Sequence, residues 1–386
     1  MELKHTNEEL TRLVALPLDD KIQISIARII EWYETWGGQV YVSYSGGKDS
    51  NVLLHLVRRV YPDVKACFVN TGLEYPELQQ LVRDTDNVDI IRPKMFFTDV
   101  ITNYGYPLIS KEVSEAIYYA RRIVGGKVTL KKRGELNGER VYVIDEESSI
   151  EKKPSNLRRA SLMSNYPQNE FNGTVIKSQF NKEKWLPLCK LPIPISHFCC
   201  NIMKKSPGKK YQHSEGKTPY LGTMAEESRM RKQAWLRHGC NAFNSDRPTS
   251  QPLSFWTEQD VLEYIKRYNI KIPSVYGDII EDNGKLCTTG VSRTGCVFCL
   301  YGMHLEKGET RFQKLAKTHP RQYEYCLGGG QWIDNPSYDE FAPKFDGEWE
   351  NWNPKKIIVP SKEGLGYKQI FDMVNEVYGE NFYRYD

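Results

Sequence analysis

The chain reads as an α/β protein with a mostly parallel sheet, helices on both faces, an inserted flap and an α-rich C-terminal region. Three observations predict this. Short buried-type strands alternate with helical segments over residues 39–91, the pattern of βαβ units. A polar stretch then interrupts the alternation at 127–185 before strand and helix signals resume at Tyr220. Finally, the last segment turns helical around Tyr367–Tyr378.

The elements follow in order. Ile22–Trp36 carries helix-period apolar residues, opens near Asp19-Asp20 and stops at Gly37-Gly38. The β-rich run Val40–Tyr44 precedes a glycine turn and a helix reaching to about Val60. Val64–Val69 is a second strand, ending in the loop Asn70-Thr71-Gly72-Leu73-Glu74. Pro76–Asp84 is helical and Val88–Ile91 is a third strand. Ser110–Ile123 is a helix closed by Gly125-Gly126. In the insertion, the clusters Lys131-Lys132-Arg133, Asp145-Glu146-Glu147 and Arg158-Arg159 suit a hairpin or flap with a solvated surface. Tyr220–Thr223 reads as another sheet strand, followed by the basic helix Ala225–His238. Thr257–Asp260 fits a capping box for the helix to Tyr268. The expected organisation is an N-terminal helical segment (1–38), an α/β domain in two parts (39–126 and 186–305) around the insertion (127–185), and a C-terminal extension (306–386).

With 386 residues the chain can bury a large core, and 40% hydrophobic with 26% charged residues excludes a disordered protein. A net charge of +4 does not by itself argue for nucleic acid. No apolar run approaches the ~20 residues that span a bilayer, so no membrane partner is expected. The N-terminus lacks a signal-peptide core, and nine cysteines without one favour reduced thiols or metal ligands over disulfides. The expected compartment is the cytoplasm.

Ser45-Gly46-Gly47-Lys48-Asp49-Ser50 is the chemically richest segment. A strand, a tight glycine turn and a helix N-terminus together make a phosphate cradle. The glycines let the backbone approach an anion, and the first-turn N–H groups and helix dipole point at it. Lys48 adds a mobile positive charge, and Ser45 and Ser50 add hydroxyl donors. The spacing is not that of a Walker A loop. Ligands on parallel sheets sit at the carboxyl ends of strands, where both this loop and the Asn70–Glu74 loop fall.

His197-Phe198-Cys199-Cys200 and Cys296-Val297-Phe298-Cys299 form the second signal. A Cys-x-x-Cys turn presents two thiolates to one metal centre, and an adjacent pair fits a cubane better than a zinc knuckle. A [4Fe–4S] cluster is favoured and zinc is the alternative. Cys67, Cys189, Cys240 and Cys326 read as core or surface thiols; Cys287 is a reserve ligand candidate, and His197 and His304 read chiefly as packing residues.

The string S-G-G-K-D-S resembles the PP-loop of the ATP pyrophosphatase (adenine nucleotide α-hydrolase) superfamily. The cysteine arrangement is similar to that of the iron–sulfur subgroup of the phosphoadenosine phosphosulfate (PAPS) reductase family. Cys199-Cys200-Asn-Ile-Met203-Lys204-Lys-Ser-Pro207 resembles that family's Cys-Cys-x-x-Arg-Lys-x-x-Pro run, with Met203 in place of arginine. Leu221–Arg229 resembles its G-x-R-x-x-E-S-x-x-R segment, with Thr223 in place of arginine, and Asn70-Thr71-Gly72 resembles its Asp-Thr-Gly loop. Arg247-Pro248 through Tyr264 resembles its Pro-Leu-x-x-Trp…Asp-Val segment, and the resemblance covers roughly 35–305. It implies an adenine nucleotide held by Ser45–Ser50, by Asn70, Thr71, Gly72 and Glu74, and by Gly222, Thr223, Glu227, Ser228 and Arg229. It also implies Mg²⁺ on the phosphates, reactive roles for Lys48, Asp49, Lys204 and Arg229, and a cluster on Cys199, Cys200, Cys296 and Cys299.

The family's sulfonucleotide reductases carry a late nucleophilic cysteine, and this chain has none after Cys326. The preferred expectation is therefore an ATP-using enzyme that adenylates an acceptor, releases pyrophosphate and transfers sulfur with the help of the cluster. The alternatives are an APS or PAPS reductase using Cys326 or an external thiol, and a non-catalytic nucleotide- or redox-responsive partner. The acceptor could be a nucleic acid or a small molecule, and a sulfur or electron donor protein would serve the reaction. The sequence does not give the oligomeric state.

Overall fold

A computed structural model describes residues 3–121, 181–340 and 352–386, with residue 162 and four short strands between 130 and 177. The chain divides into two units, one of residues 1–96 with 201–297, the other of residues 97–200 with 298–386.

The first unit is built on a six-stranded sheet. Its order is Val88–Ile91, Ala66–Val69, Val40–Tyr44, Thr218–Leu221, Thr249–Ser250 and Asn241–Ala242. Every pairing is parallel except the last, which is antiparallel. The alternation of strand and helix forces this, because each helix returns the chain to the same sheet end. Val42, Ala66 and Tyr220 on the sheet and Leu53, Leu56 and Val57 on the helix Lys48–Val60 are completely buried. Each buried valine or leucine among them contributes about 1.5–3 kcal/mol. The helix Leu18–Thr35 is tied in by Lys21, whose ammonium lies 2.6 Å from Asp260. Asp260 closes the capping box of Thr257 as the sequence predicts. Pro252–Trp256 is core: Leu253, Phe255 and Trp256 are fully buried, and the Trp256 indole N–H donates to Ser25 (2.9 Å).

The strand order reverses its direction of growth between Val40–Tyr44 and Thr218–Leu221. The two strands pair directly, Ser43 opposite Leu221. Their carboxyl ends therefore open a crevice at a topological switch point, and Ser45–Ser50 and Gly222-Thr223 both emerge there.

The second unit is mainly helical, with Phe97–Tyr104, Lys111–Ala120, Arg311–Thr318, Pro320–Leu327 and Tyr367–Tyr378. The insertion contributes two antiparallel hairpins to it, Leu130–Leu136 with Glu139–Ile144 and Gln168–Phe171 with Thr174–Lys177. The acidic patch 145–147 and Arg158-Arg159 lie outside the described residues. Residues 97–120, 186–200 and 298–305 group here and not with the sheet, unlike the division expected above. The reason is local bonding: Tyr106 pairs with Ile195, and Gly302 N–H donates to Ile109 (2.8 Å). Arg121 is a central tie, its buried guanidinium donating to the carbonyls of Cys189, Leu188, Ile193 and Leu191 and lying over the Trp352 ring.

Candidate functional site

The PP-loop is shaped by its glycines and held by its neighbours. Gly46 has φ +73°, and a Cβ there would come within 2.7 Å of Leu78, so glycine is required twice over. The Asn51 amide, itself fixed by Tyr44 (2.7 Å), donates to the carbonyls of Gly46 (2.9 Å) and Gly47 (3.0 Å). That turns the loop carbonyls towards Asn51. Ser50 Oγ donates to Gly47 O and accepts from Ser45 N–H, closing the turn from the other side. Gly222 packs against the helix start, where a Cβ would sit 3.2 Å from Asp49 O.

A cavity of about 470 Å³ lies elsewhere, between the first two helices and Trp235. The crevice at the PP-loop is smaller, about 290 Å³, but it carries the charge. Its floor is Ser45, Gly47, Lys48, Asp49 and Ser50, and its walls include Gly222, Thr223 and Glu227. Arg231, Arg293, Tyr276 and Thr294 complete it. Lys48 is almost wholly buried, its ammonium 3.2 Å from Glu258 and 3.6 Å from Asp49, and it donates to Ser292 O (3.1 Å). Burial pulls its pKa down, but the charges of Asp49, Tyr276 and Glu258 outweigh that and raise it. Burial pushes Asp49 up, Glu258 adds to the shift, and Lys48 opposes it. Arg231 is lowered, chiefly by burial and then by Arg293. It pairs with Glu227, which Arg293 also reaches at 3.4 Å. Two carboxylates and three cations in so small a space suit a polyphosphate accompanied by a metal ion.

Several expected residues lie elsewhere. Ser228 caps the helix Arg229–His238, and Arg229 is exposed at its start; Arg231, two residues on, lines the crevice instead. Arg247 donates to Gln212 and is not among the lining residues. Thr223 does line the crevice, with its hydroxyl donating to Gln251 (3.1 Å). Sequence reasoning missed Glu258, Tyr276, Arg293 and Thr294. The one signal for the last two is that they immediately precede Cys296.

The Asn70–Glu74 loop is a compact ring closed by its own side chains. Glu74, buried, accepts from Thr71 N–H (3.1 Å) and Thr71 Oγ1 (2.7 Å), and Asn70 accepts from Gly72 N–H (3.0 Å). Both post-cysteine segments reach this ring. Lys204, in a π-turn over Asn201–Lys205, brings its ammonium to 3.7 Å from Glu74. Val297 N–H donates to Leu73 O (2.7 Å). Cys296 therefore sits on a short loop fixed at Leu73 on one side and at Gly47 on the other, where Thr294 packs.

The other three cysteines of the two pairs belong to the second unit. The sulfurs of Cys199 and Cys200 are 3.9 Å apart. Burial first, then the thiols of Cys199, Cys200 and Cys299, push the Tyr301 phenol far up. The Ser114 hydroxyl is near it but is committed to Leu108 O (2.7 Å) and Leu108 N–H (3.1 Å). Tyr301 Oη is left buried without a hydrogen bond. Three thiols gathered around an unsatisfied hydroxyl fit a thiolate-bound iron–sulfur cluster or zinc as a donor set. Among the described residues, no three His, Cys, Asp or Glu side chains are drawn into ligating positions. Cys67, Cys189, Cys240 and Cys326 are buried core residues, and Cys287 lies on the hairpin strand Lys285–Thr288. His197 packs on Phe198 and His304 against Trp185 and Phe382.

The sequence profile of the phosphoadenosine phosphosulfate reductase domain matches residues 39–98 and 155–300, more than half of the chain. The chain belongs to the PAPS reductase family. Adenosine 5'-phosphosulfate reductase 2 of Bacillus subtilis (strain 168) is 24% identical over 106 residues, 26% of this chain and 43% of that protein. The chain thus aligns with less than half the length of this curated relative. A crystal structure of PAPS reductase from Candida auris, in complex with phosphate, aligns over 74% of this chain and 100% of its own, at 12% identity and a TM-score of 0.31. Among the described residues, no helix is long and apolar enough to cross a membrane.

Proposed function

We propose that this PAPS reductase-family chain binds ATP, or a related adenylyl nucleotide, with Mg²⁺ at the PP-loop and adenylates an acceptor. The observation that carries this is the mixed crevice: the buried Lys48 and the facing Arg231 and Arg293 share about 290 Å³ with Asp49 and Glu227, and among the described residues no cysteine lines it. In the reaction, an acceptor oxygen attacks the α-phosphorus and releases its proton to solvent. The bond from that phosphorus to the bridging oxygen breaks, and pyrophosphate leaves. Lys48 and the loop N–H groups offset the charge that develops on the leaving group. Arg231 and Arg293 hold the phosphates in line for attack. Asp49 and Glu227 offer oxygen ligands for Mg²⁺. The family's Gly222–Arg229 and Asn70–Glu74 segments would flank the nucleoside.

Cys199, Cys200, Cys296 and Cys299 would hold the [4Fe–4S] cluster, with zinc as the alternative. When bound, the cluster would help present sulfur, supplied by a donor protein, for displacement of AMP from the adenylated acceptor. Lys204, fixed beside Glu74, would bring its positive charge to the nucleotide loop. The acceptor class is a nucleic acid or a small molecule.

Family membership favours a second reading, reduction of APS or PAPS to sulfite. That reaction needs a thiolate, and Cys326 is a poor source of one. It is completely buried, and burial raises its pKa well above the ordinary thiol value. An external thiol would have to serve. A non-catalytic nucleotide-responsive role is the third reading. Incubating anaerobically purified protein, with its iron and sulfide quantified, with ATP and Mg²⁺ or with APS and PAPS separates them. AMP with pyrophosphate supports adenylation, sulfite supports reduction, and binding without turnover supports the third.

A further inference from the structure

The site already described leaves one contact unexplained. The backbone N–H of Lys48, in the first turn of the PP-loop helix, faces the crevice where an anion would accept from it. Here it donates to a phenol instead, Tyr276 Oη, at 3.2 Å. Tyr276 Oη in turn shares a 2.8 Å hydrogen bond with Thr294 Oγ1. Both hydroxyls press on the loop itself, since a Cβ at Gly47 would lie 2.9 Å from Thr294 Oγ1 and 3.3 Å from Tyr276 Oη.

The position of Tyr276 is set by backbone, not by the hydroxyl. It lies at the neck of the hairpin Ile279–Asp282 with Lys285–Thr288. Gly290 N–H donates to Tyr276 O (2.8 Å) and Val291 N–H to Val275 O (3.0 Å). A Cβ on Gly290 would be 2.2 Å from Val275 O, so the two strands of the neck approach as closely as only glycine allows. Tyr276 is 2% exposed, yet its hydroxyl lines the crevice.

We propose that Tyr276 and Thr294 are phosphate ligands of the nucleotide site. In the free protein their hydroxyl pair stands in for a phosphate oxygen on the Lys48 N–H. In the complex, that oxygen receives the Lys48 N–H together with the two hydroxyl donors. The exchange replaces neutral hydrogen bonds with charge-assisted ones, which are roughly twice as strong. No bond is made or broken, and the inference rests on the reading of this crevice as a nucleotide site.

The test is calorimetric titration of the full chain with ATP and Mg²⁺, and with adenosine, in wild type, Tyr276→Phe and Thr294→Val. ATP affinity falls about tenfold or more in Tyr276→Phe, the loss expected for a hydrogen bond to a charged group. Thr294→Val, nearly isosteric, falls in the same direction, and adenosine affinity is unchanged in both. ATP affinity unchanged in both variants overturns the inference, as does an equal loss for ATP and adenosine. If the melting temperature of Tyr276→Phe drops, Thr294→Val alone decides. Wild-type protein that binds neither ATP nor any other adenylyl nucleotide overturns the nucleotide reading itself, and this inference with it.

Discussion

The Lys48 ammonium lies 3.2 Å from the Glu258 carboxylate, so the PP-loop lysine is already neutralised before any phosphate enters. Glu258 is half exposed on its outer side, while Lys48 is almost wholly enclosed. A phosphate must compete with this carboxylate for the lysine. Glu258→Gln removes the competition, and a pair in which only the carboxylate reaches solvent is discounted for screening to about 1 kcal/mol. ATP affinity should therefore rise about two- to fivefold by calorimetry. A fall would show that Glu258 assists the ligand.

Asp49 gives a pH signature. Its folded pKa lies above the ordinary carboxylate value, chiefly through burial. The folded state thus holds this proton more tightly than the unfolded chain. The ionised carboxylate costs stability at pH above the folded value, and the cost fades as pH falls to the unfolded value. Asp49→Asn should be at least as stable as wild type at pH 7, and the difference should vanish below about pH 4. Its nucleotide turnover should fall by about 10² if Asp49 acts at the phosphates. Denaturant titrations across pH check the first part and product assays the second.

Cys326 separates the chemical readings. Its complete burial predicts no reaction with an aqueous thiol reagent in the native protein and full reaction once unfolded. Cys326→Ser should lose about 1–3 kcal/mol of stability, because a hydroxyl replaces a thiol in an apolar site. It should keep its turnover. Sulfite release from APS or PAPS that Cys326→Ser abolishes would establish the reductase.

Arg121 is a stability prediction for the second unit. Arg121→Ala leaves four carbonyls without their donor and opens the face of Trp352. A loss of about 4 kcal/mol or more in chemical denaturation is expected, at about 1 kcal/mol or more for each orphaned carbonyl. Arg121→Lys should recover little, since an ammonium cannot reproduce the planar fork.

Much of the first unit was legible in the sequence, because its signals are local. The strand Val40–Tyr44, the strand Val88–Ile91 and the Thr257 capping box lie where periodicity and capping put them, as does the helix Tyr367–Tyr378 of the second unit. Other ends moved by a turn: the helix read from Ile22 starts at Leu18, and Ala225–His238 splits into a 3₁₀ turn and a helix capped by Ser228. The PP-loop was legible for the same reason, its glycines and lysine being contiguous. Tyr276, Thr294 and Glu258 were not, since they reach Gly47 and Lys48 from more than 200 positions away with no motif of their own. In the sequence Arg231 is one more cation of the basic helix Ala225–His238, and only the turn of the helix after Ser228 directs it into the crevice while leaving Arg229 outside.

The most direct test of the phosphate site compares wild type with Lys48→Ala, incubated with ATP, Mg²⁺ and a panel of acceptors. Wild type should yield AMP and pyrophosphate in equal amounts, and Lys48→Ala, confirmed folded by its melting transition, should yield neither. Equal product from both proteins, or none from wild type with any acceptor, would contradict the assignment.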